Sequence, residues 1–413
     1  MHLRVPIEFV LFALTLLGIA VFHHRTLRIS LIGLAAIAVY KITFTGFNTG
    51  LGLTGFAAHV AHEWVVLANL LLLLMGFALL SRHFEKSRVP NVLPKYLPRG
   101  WMGGFALLAI VWVLSSFLDN IAGALIGGAM AHQLFRARVH VGYIAAIVAA
   151  SNAGGAWSVL GDTTTTMLWI AGVAPSQVVK AIVPAVVALL VFGLPAAVQQ
   201  HRYSPMLEHA HEQTRIDWTR VAIVGFILVL ALATNVVVNV KLPRRAEAFP
   251  FLGVAVWVAI GASVAARRPD WELLPRSFRS SLFLLALVLC ASMLPVEKLP
   301  GASWQTSLGL GFVSAVFDNI PLTAMAIKQG GYDWGFLAYV VGFGGSMLWF
   351  GSSSGVALAS LYPESRSVVR WVKHGWHIPL AYVVAFFVML AAVRWNAELP
   401  RAREAALPSA YGR

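Results

Sequence analysis

Uncharged apolar stretches about as long as a bilayer is thick recur along this chain from one end to the other. Examples are VVLANLLLLLMGFALL at 65–80 and VAIVGFILVLALATNVVVNV at 221–240. Roughly 20 such residues carry a helix through hydrocarbon, and no soluble domain of useful size fits between the runs. Only 12% of the 413 residues are charged and 59% are hydrophobic, against roughly a quarter charged in ordinary soluble domains. The chain reads as an all-α polytopic membrane protein in a lipid bilayer.

The first run, VPIEFVLFALTLLGIAVF at 5–22, is long, carries Glu8 and has no small-x-small cleavage site, so it reads as a spanning helix and not as a signal peptide. Cys290 is the single cysteine, which excludes disulfides within the chain and thiolate metal sites. The net charge of +14 does not point to nucleic acid, because the basic residues sit in short loops where membrane orientation requires them. No nucleophile-base pair or metal cluster stands out, so neither an enzyme nor a cofactor is expected. HVAHEW at 59–64 places His59 and Glu63 one helical turn apart, which reads as an interfacial pair before a proton relay and has too few ligands for a metal site.

The long apolar segments give five crossings in each half, near 5–22, 29–46, 61–80, 140–172 and 178–197, then near 219–240, 249–266, 280–295, 334–360 and 376–395. Between the third and fourth of each set lies an apolar stretch of hairpin length, 103–135 and 305–330. If each hairpin enters and leaves on one side, the odd count makes the second half start on the opposite side from the first. The expectation is two inverted-topology repeats, 1–200 and 219–413, joined by a polar linker at 201–218. Placing the N-terminus outside puts 19 of the 31 Lys and Arg residues inside, although Lys241, Arg244 and Arg245 then fall outside.

Each hairpin stretch contains an acid beside an amide: SSFLDNIAGAL at 115–125 and SAVFDNIPLTA at 314–324. Irregular backbone at membrane depth survives only inside protein or along a watery cavity. An Asp-Asn step there is a natural hairpin tip, and Asp also caps the helix that follows. Downstream, SNAGGAWSVLGDTTTT at 151–166 and GFGGSMLWFGSSSG at 342–355 share a spacing: Gly154-Gly155 then Gly161, and Gly344-Gly345 then Gly351. Such glycines also serve helix packing, but packing does not require the acid, the amide and the hydroxyls around them. Broken helices are expected in both halves, with backbone carbonyls that ligate cations beside half-helix N-termini that favour anions.

The candidate ligands are the carboxylates of Asp119, Asp162 and Asp318, the amides of Asn120, Asn152 and Asn319, and the hydroxyls of Thr163, Thr164, Ser352 and Ser353. Oxygen donors of this kind suit alkali cations, with Na⁺ expected at the three aspartates. Neither tip and neither glycine segment contains Lys or Arg. Desolvation disfavours a charged carboxylate, so such a group holds a proton or a cation but seldom both.

These four motifs, in this order, resemble the repeated signatures of the NhaD-type sodium/proton antiporters, within the ion transporter superfamily that includes arsenite carriers and divalent-anion/sodium symporters. The resemblance implies inverted repeats with re-entrant hairpins and interrupted helices, assembled as a homodimer in a bacterial inner membrane. It places the ion site on Asp119, Asn120, Asp162, Thr163, Asp318, Asn319 and Ser352. The anion symporters carry Ser-Asn-Thr at the tips, where this chain has Leu118-Asp119-Asn120 and Phe317-Asp318-Asn319. Two departures stand out: Ser352 occupies the place of Asp162 in the second half, and the chain reads as short, without an extra N-terminal helix. The expected activity is exchange of Na⁺ or Li⁺ for H⁺. The alternative is sodium-coupled carriage of a small anion.

Overall fold

The computed structural model describes residues 6–22, 25–158, 160–206, 215–242, 245 and 248–397. Residues 207–214 of the expected linker, Val5 of the first expected crossing and Arg244 lie outside them. The described residues form helices: α1 (Ile7–Val21), α2 (Thr26–Tyr40), α3 (Gly52–Lys86), α4 (Trp101–Ser115), α5 (Asn120–Leu134), α6 (Val141–Ala156), α7 (Thr163–Ile170) and α8 (Ile182–Tyr203). They continue with α9 (Trp218–Lys241), α10 (Phe251–Ser263), α11 (Leu274–Ser292), α12 (Trp304–Ser314), α13 (Asn319–Gln329), α14 (Trp334–Gly344), α15 (Ser353–Leu361), α16 (Val368–His374) and α17 (His377–Val393). No sheet forms among the described residues; a single isolated bridge joins Phe47 and Gly50.

Among the described residues, five helical stretches are long and apolar enough to cross a membrane, and six if α16 and α17, bent by 57°, count as one. The sequence suggests ten crossings. The glycine breaks cut the runs near 140–172 and 334–360 into shorter helices, α6 and α14 among them, while those near 5–22 and 249–266 form the shorter apolar helices α1 and α10. Exposed apolar residues on α1, α2 and α9, including Leu14, Ile32 and Val229, suit contact with lipid tails, where only satisfied backbone is tolerated.

Every described residue of α6 from Gly142 onward, and all of α14, is buried. Helices apolar on all sides belong inside a bundle. Helix α8 packs on α4, α6 and α17, and α14 packs on α6 and α12. The ends are set by local chemistry: Ser303 and Thr306 form a reciprocal capping box at α12, and Asp333 accepts from the Gly335 and Phe336 N–H groups at α14.

Contacts between the halves are crossed. Helix α5 packs on α15, and α13 packs on α7. Each helix that follows an Asp-Asn turn thus lies against the helix that follows the other half's glycine break. The Tyr362 hydroxyl, just beyond α15, donates to the Gly128 carbonyl of α5 at 2.7 Å.

Candidate ion site

The spacing of the glycines becomes structural at the breaks. A Cβ on Gly155 would stand 2.7 Å from the Gly161 carbonyl oxygen, and one on Gly345 would stand 2.7 Å from that of Gly351. Real side chains do not approach that closely, so the chain folds back on itself only where the side chain is absent. Gly154 and Gly344 press in the same way on the carbonyls of Trp112 in α4 and Gly311 in α12, seating each break against its neighbouring hairpin helix.

Four short helices begin at these irregular segments, and the residues preceding them are Asp119 for α5, Asp162 for α7, Asp318 for α13 and Ser352 for α15. Asp318 Oδ1 accepts from the Ile320 N–H at 3.1 Å, and Ser352 Oγ from the Gly355 N–H at 3.2 Å. Asp119 and Asp162 occupy the same position without a side-chain capping bond of that geometry.

Asp162 is the hub. Its Oδ1 accepts from the Asn120 amide at 3.1 Å and its Oδ2 from the Asn319 amide at 3.0 Å, so one buried carboxylate ties together both Asp-Asn turns. Its backbone carbonyl accepts from the Thr165 and Thr166 hydroxyls. Asp119 and Asp318 lie within electrostatic reach of it. The Thr164 hydroxyl, fully buried, approaches the same carboxylate without forming a good hydrogen bond.

Asn152, also fully buried, makes the second junction. Its amide nitrogen donates to Ser346 Oγ at 2.9 Å and Ser352 Oγ at 3.2 Å, while its oxygen accepts from Ser354 Oγ at 2.7 Å and from Asn120 at 3.3 Å. Ser353 Oγ donates to Asp318 Oδ2 at 2.8 Å, and the Ser151 hydroxyl donates to the Asn120 carbonyl.

Of the residues singled out in the sequence, Asn120, Asn152, Asp162, Asn319 and Ser352 form one network of hydrogen bonds, and Asp318 and Ser353 are bonded to one another beside it. Asp119 and Thr163 are half-buried beside it without taking part in that network. Sequence reasoning passed over Ser346 and Ser354, whose hydroxyls complete the Asn152 amide. Both lie inside the quoted segment GFGGSMLWFGSSSG, and the signal was a hydroxyl in sequence that is otherwise glycine and large apolar residues.

A cavity of about 840 Å³ reaches this neighbourhood, with Asp318, Ser352 and Ser353 in its wall together with Arg25, Arg28 and Arg279. Carboxylates, amides and hydroxyls gathered at four helix N-termini, two of which line the cavity through Asp318, Ser352 and Ser353, are oxygen donors suited to a small cation or a proton.

No family model matches the chain. It is similar to a protein named sodium/proton antiporter 1 from Arabidopsis thaliana, 29% identical over 301 residues, which cover 63% of this chain and 50% of that protein. It is also similar to sodium/proton antiporter 2 of the same plant, 27% identical over 314 residues, covering 67% of this chain and 71% of that protein. A Na(+)/H(+) antiporter NhaD from Alkalimonas amylolytica is 25% identical over 395 residues, covering 82% and 79%. The match thus spans half the length of the first relative. The chain is related, at low identity, to proteins named as cation/proton antiporters.

Proposed function

We propose that the protein exchanges Na⁺ or Li⁺ for H⁺, with Asp119, Asp162 and Asp318 binding cation and proton by turns. The observation that carries this reading is the Asp162 carboxylate held by the amides of Asn120 and Asn319, one from each half of the chain. A buried acid is tolerable in a membrane bundle when paired or facing a watery cavity, and marks an ion or proton path. The four helix N-termini offset part of the negative charge, leaving a site that a proton or a monovalent cation neutralises. The amide and hydroxyl oxygens of Asn120, Asn152, Asn319, Thr163, Thr164, Ser352 and Ser353 supply the remaining donors, with backbone carbonyls from the breaks.

The same reading makes residues 1–200 and 219–413 inverted repeats, each with a re-entrant hairpin and an interrupted helix. The matched glycine contacts at the two breaks and the crossed packing of α5 on α15 and α13 on α7 support it. Movement of these parts against the rest would expose the site to one face and then the other.

A pH dye sealed inside proteoliposomes tests the exchange directly. Added Na⁺ or Li⁺ should move the internal pH between about pH 6 and 9, a window set around carboxylates that lose hydration; K⁺ or choline should move it far less. A flat trace with every cation would overturn the reading.

One observation favours sodium-coupled carriage of a small anion instead: three arginines line the cavity that leads to Asp318. That alternative requires Na⁺-dependent uptake of a labelled carboxylate or oxyanion. It also requires Asp119→Asn to weaken the Na⁺ dependence without abolishing anion binding.

A further inference from the structure

A second cavity, of about 440 Å³, lies elsewhere in the protein, with Lys41, His59, His62, Glu63 and Lys328 among its walls. The two cavities lie along the same helices, one toward each end. Along α11, Arg279, Phe283 and Leu287 face the first, while Val288 and Ser292 face the second. The 13 residue steps from Arg279 to Ser292 span about 20 Å at helical rise. Along α13 the order repeats, with Asp318 at the first cavity and Ile327 and Lys328 at the second, and α2 runs from Arg28 at the first to Lys41 just past its end at the second.

What separates them is apolar. Leu70 of α3, Met167 of α7, Leu284 and Val288 of α11 and Ile320 of α13 form a compact buried cluster, each at most 8% exposed. Leu284 also lines the first cavity, and Met167 and Val288 line the second. The cluster is therefore a layer with one face on each chamber. Two of its members are tied to the site: the Ile320 N–H is bonded to Asp318 Oδ1, and Met167 lies on the helix that starts at Asp162.

We infer that the two cavities are the two vestibules of one ion path, and that these five side chains are the gate which closes the second vestibule from the site. An apolar constriction stops ions because it will not hold water. The second vestibule is polar and ordered: His59 Nε2 and Ser292 Oγ are 2.9 Å apart, and Lys328 Nζ donates to the Ser292 carbonyl at 2.7 Å. Glu63 is the acid among its lining residues, and it is the group a departing cation would meet next. The inference rests on the exchange reading only for which ions travel. The geometry itself defines a path and a block.

Two measurements on the full chain test it, both in a Cys290→Ala background, since the single native cysteine is buried. Ala357 lines the first cavity and Ala171 the second. With Ala357→Cys and Ala171→Cys, a membrane-impermeant maleimide should label the first from one face of sealed vesicles and the second from the other. Labelling of both from the same face would overturn the path. For the gate, proteoliposomes holding a pH gradient in choline chloride, free of Na⁺ and Li⁺, are compared. Ile320→Ala and Met167→Ala should dissipate the gradient roughly tenfold faster by hydrating the constriction, with Ile320→Val between them and the parent protein. Leu189→Ala, a buried change in α8 away from both cavities, should not. Gate variants that retain the two-faced labelling, and hence the fold, but leak no faster than Leu189→Ala would overturn the gate. Neither readout contains a transported metal cation, so failure of the exchange reading and failure of the gate register separately.

Discussion

At the break after α6, Gly155 lies against the Gly161 carbonyl; at the break after α14, Gly345 lies against that of Gly351 at the same distance. The chain then starts a short helix in both places. Yet the residue at that start is Asp162 in one half and Ser352 in the other, and the Asn152 of the first half corresponds by spacing to Gly342 of the second. The two differences fit one another in space. Gly342 lies in van der Waals reach of Asp162, a Cβ there standing 3.5 Å from Asp162 Oδ2, while Asn152 reaches over to Ser352, Ser346 and Ser354. One device of backbone thus carries a charge in the first half and a hydroxyl cluster in the second, and the pair supplies one acid at the hub where strict repetition would have forced two together. Like charges in contact at that depth could not both ionise.

The largest effect should come from removing the charge that distinguishes the halves. Asp162→Asn keeps the shape but leaves one of the two amides, Asn120 or Asn319, facing a donor. Hydrogen bonds to charged groups contribute about 1.5–3 kcal/mol each, so cation-driven proton flux should fall on the order of 10- to 100-fold. The comparison sharpens with an exchange of residues: Asp162→Ser combined with Ser352→Asp preserves composition and charge. Because both turn amides are aimed at position 162, the double variant should be no more active than Asp162→Ser alone. Recovery toward the parent flux would show the two breaks to be chemically interchangeable.

A smaller effect is expected on the hydroxyl side. Asn152→Ala leaves Ser346, Ser352 and Ser354 short of a buried partner, a loss of about 1–3 kcal/mol for an unsatisfied group. It should appear as a lower thermal midpoint in detergent while Na⁺-dependent flux in the surviving protein changes less than in Asp162→Asn. The smallest effect lies outside the membrane. Asp270 is bonded by Lys86 at 2.7 Å and Arg82 at 3.0 Å, and Asp217 by Arg267 at 3.0 Å. The Lys86 ammonium and Arg82 guanidinium hold the Asp270 carboxyl below its usual range, and Arg267 does the same for Asp217. A lowered value means that their contribution is present above about pH 4, the unfolded carboxylate value, and is lost as pH falls through the lower folded one. Thermal midpoints of the parent and of Asp270→Asn should therefore be flat and nearly coincident from about pH 5 to 8.

The places where helices stop were legible in the sequence. Asp119, Asp318, Asp162 and Ser352 each immediately precede a helix, because short polar side chains favour that position and the glycines beside two of them allow the reversal. Partners were not legible. That α13 lies on α7, or that Asn152 reaches three serines some 200 residues away, depends on how the halves cross, and hydropathy repeats carry no such information. The apolar layer between the cavities was hidden for the same reason: Leu70, Met167 and Ile320 are ordinary members of apolar runs until α3, α7 and α13 are brought together. The glycine spacing marked the two breaks in advance, whereas the short apolar helices α1 and α10 carry no break signal in their hydropathy.

Proton release on cation binding tests the central claim most directly. Purified protein in weakly buffered detergent solution receives Na⁺ or Li⁺, and the pH is followed together with bound cation. If one set of carboxylates holds either species, protons should be released as the cation binds, the apparent cation affinity should weaken as the starting pH is lowered, and Asp162→Asn should suppress both. Cation binding of undiminished affinity, with no proton released in the parent protein, would contradict it.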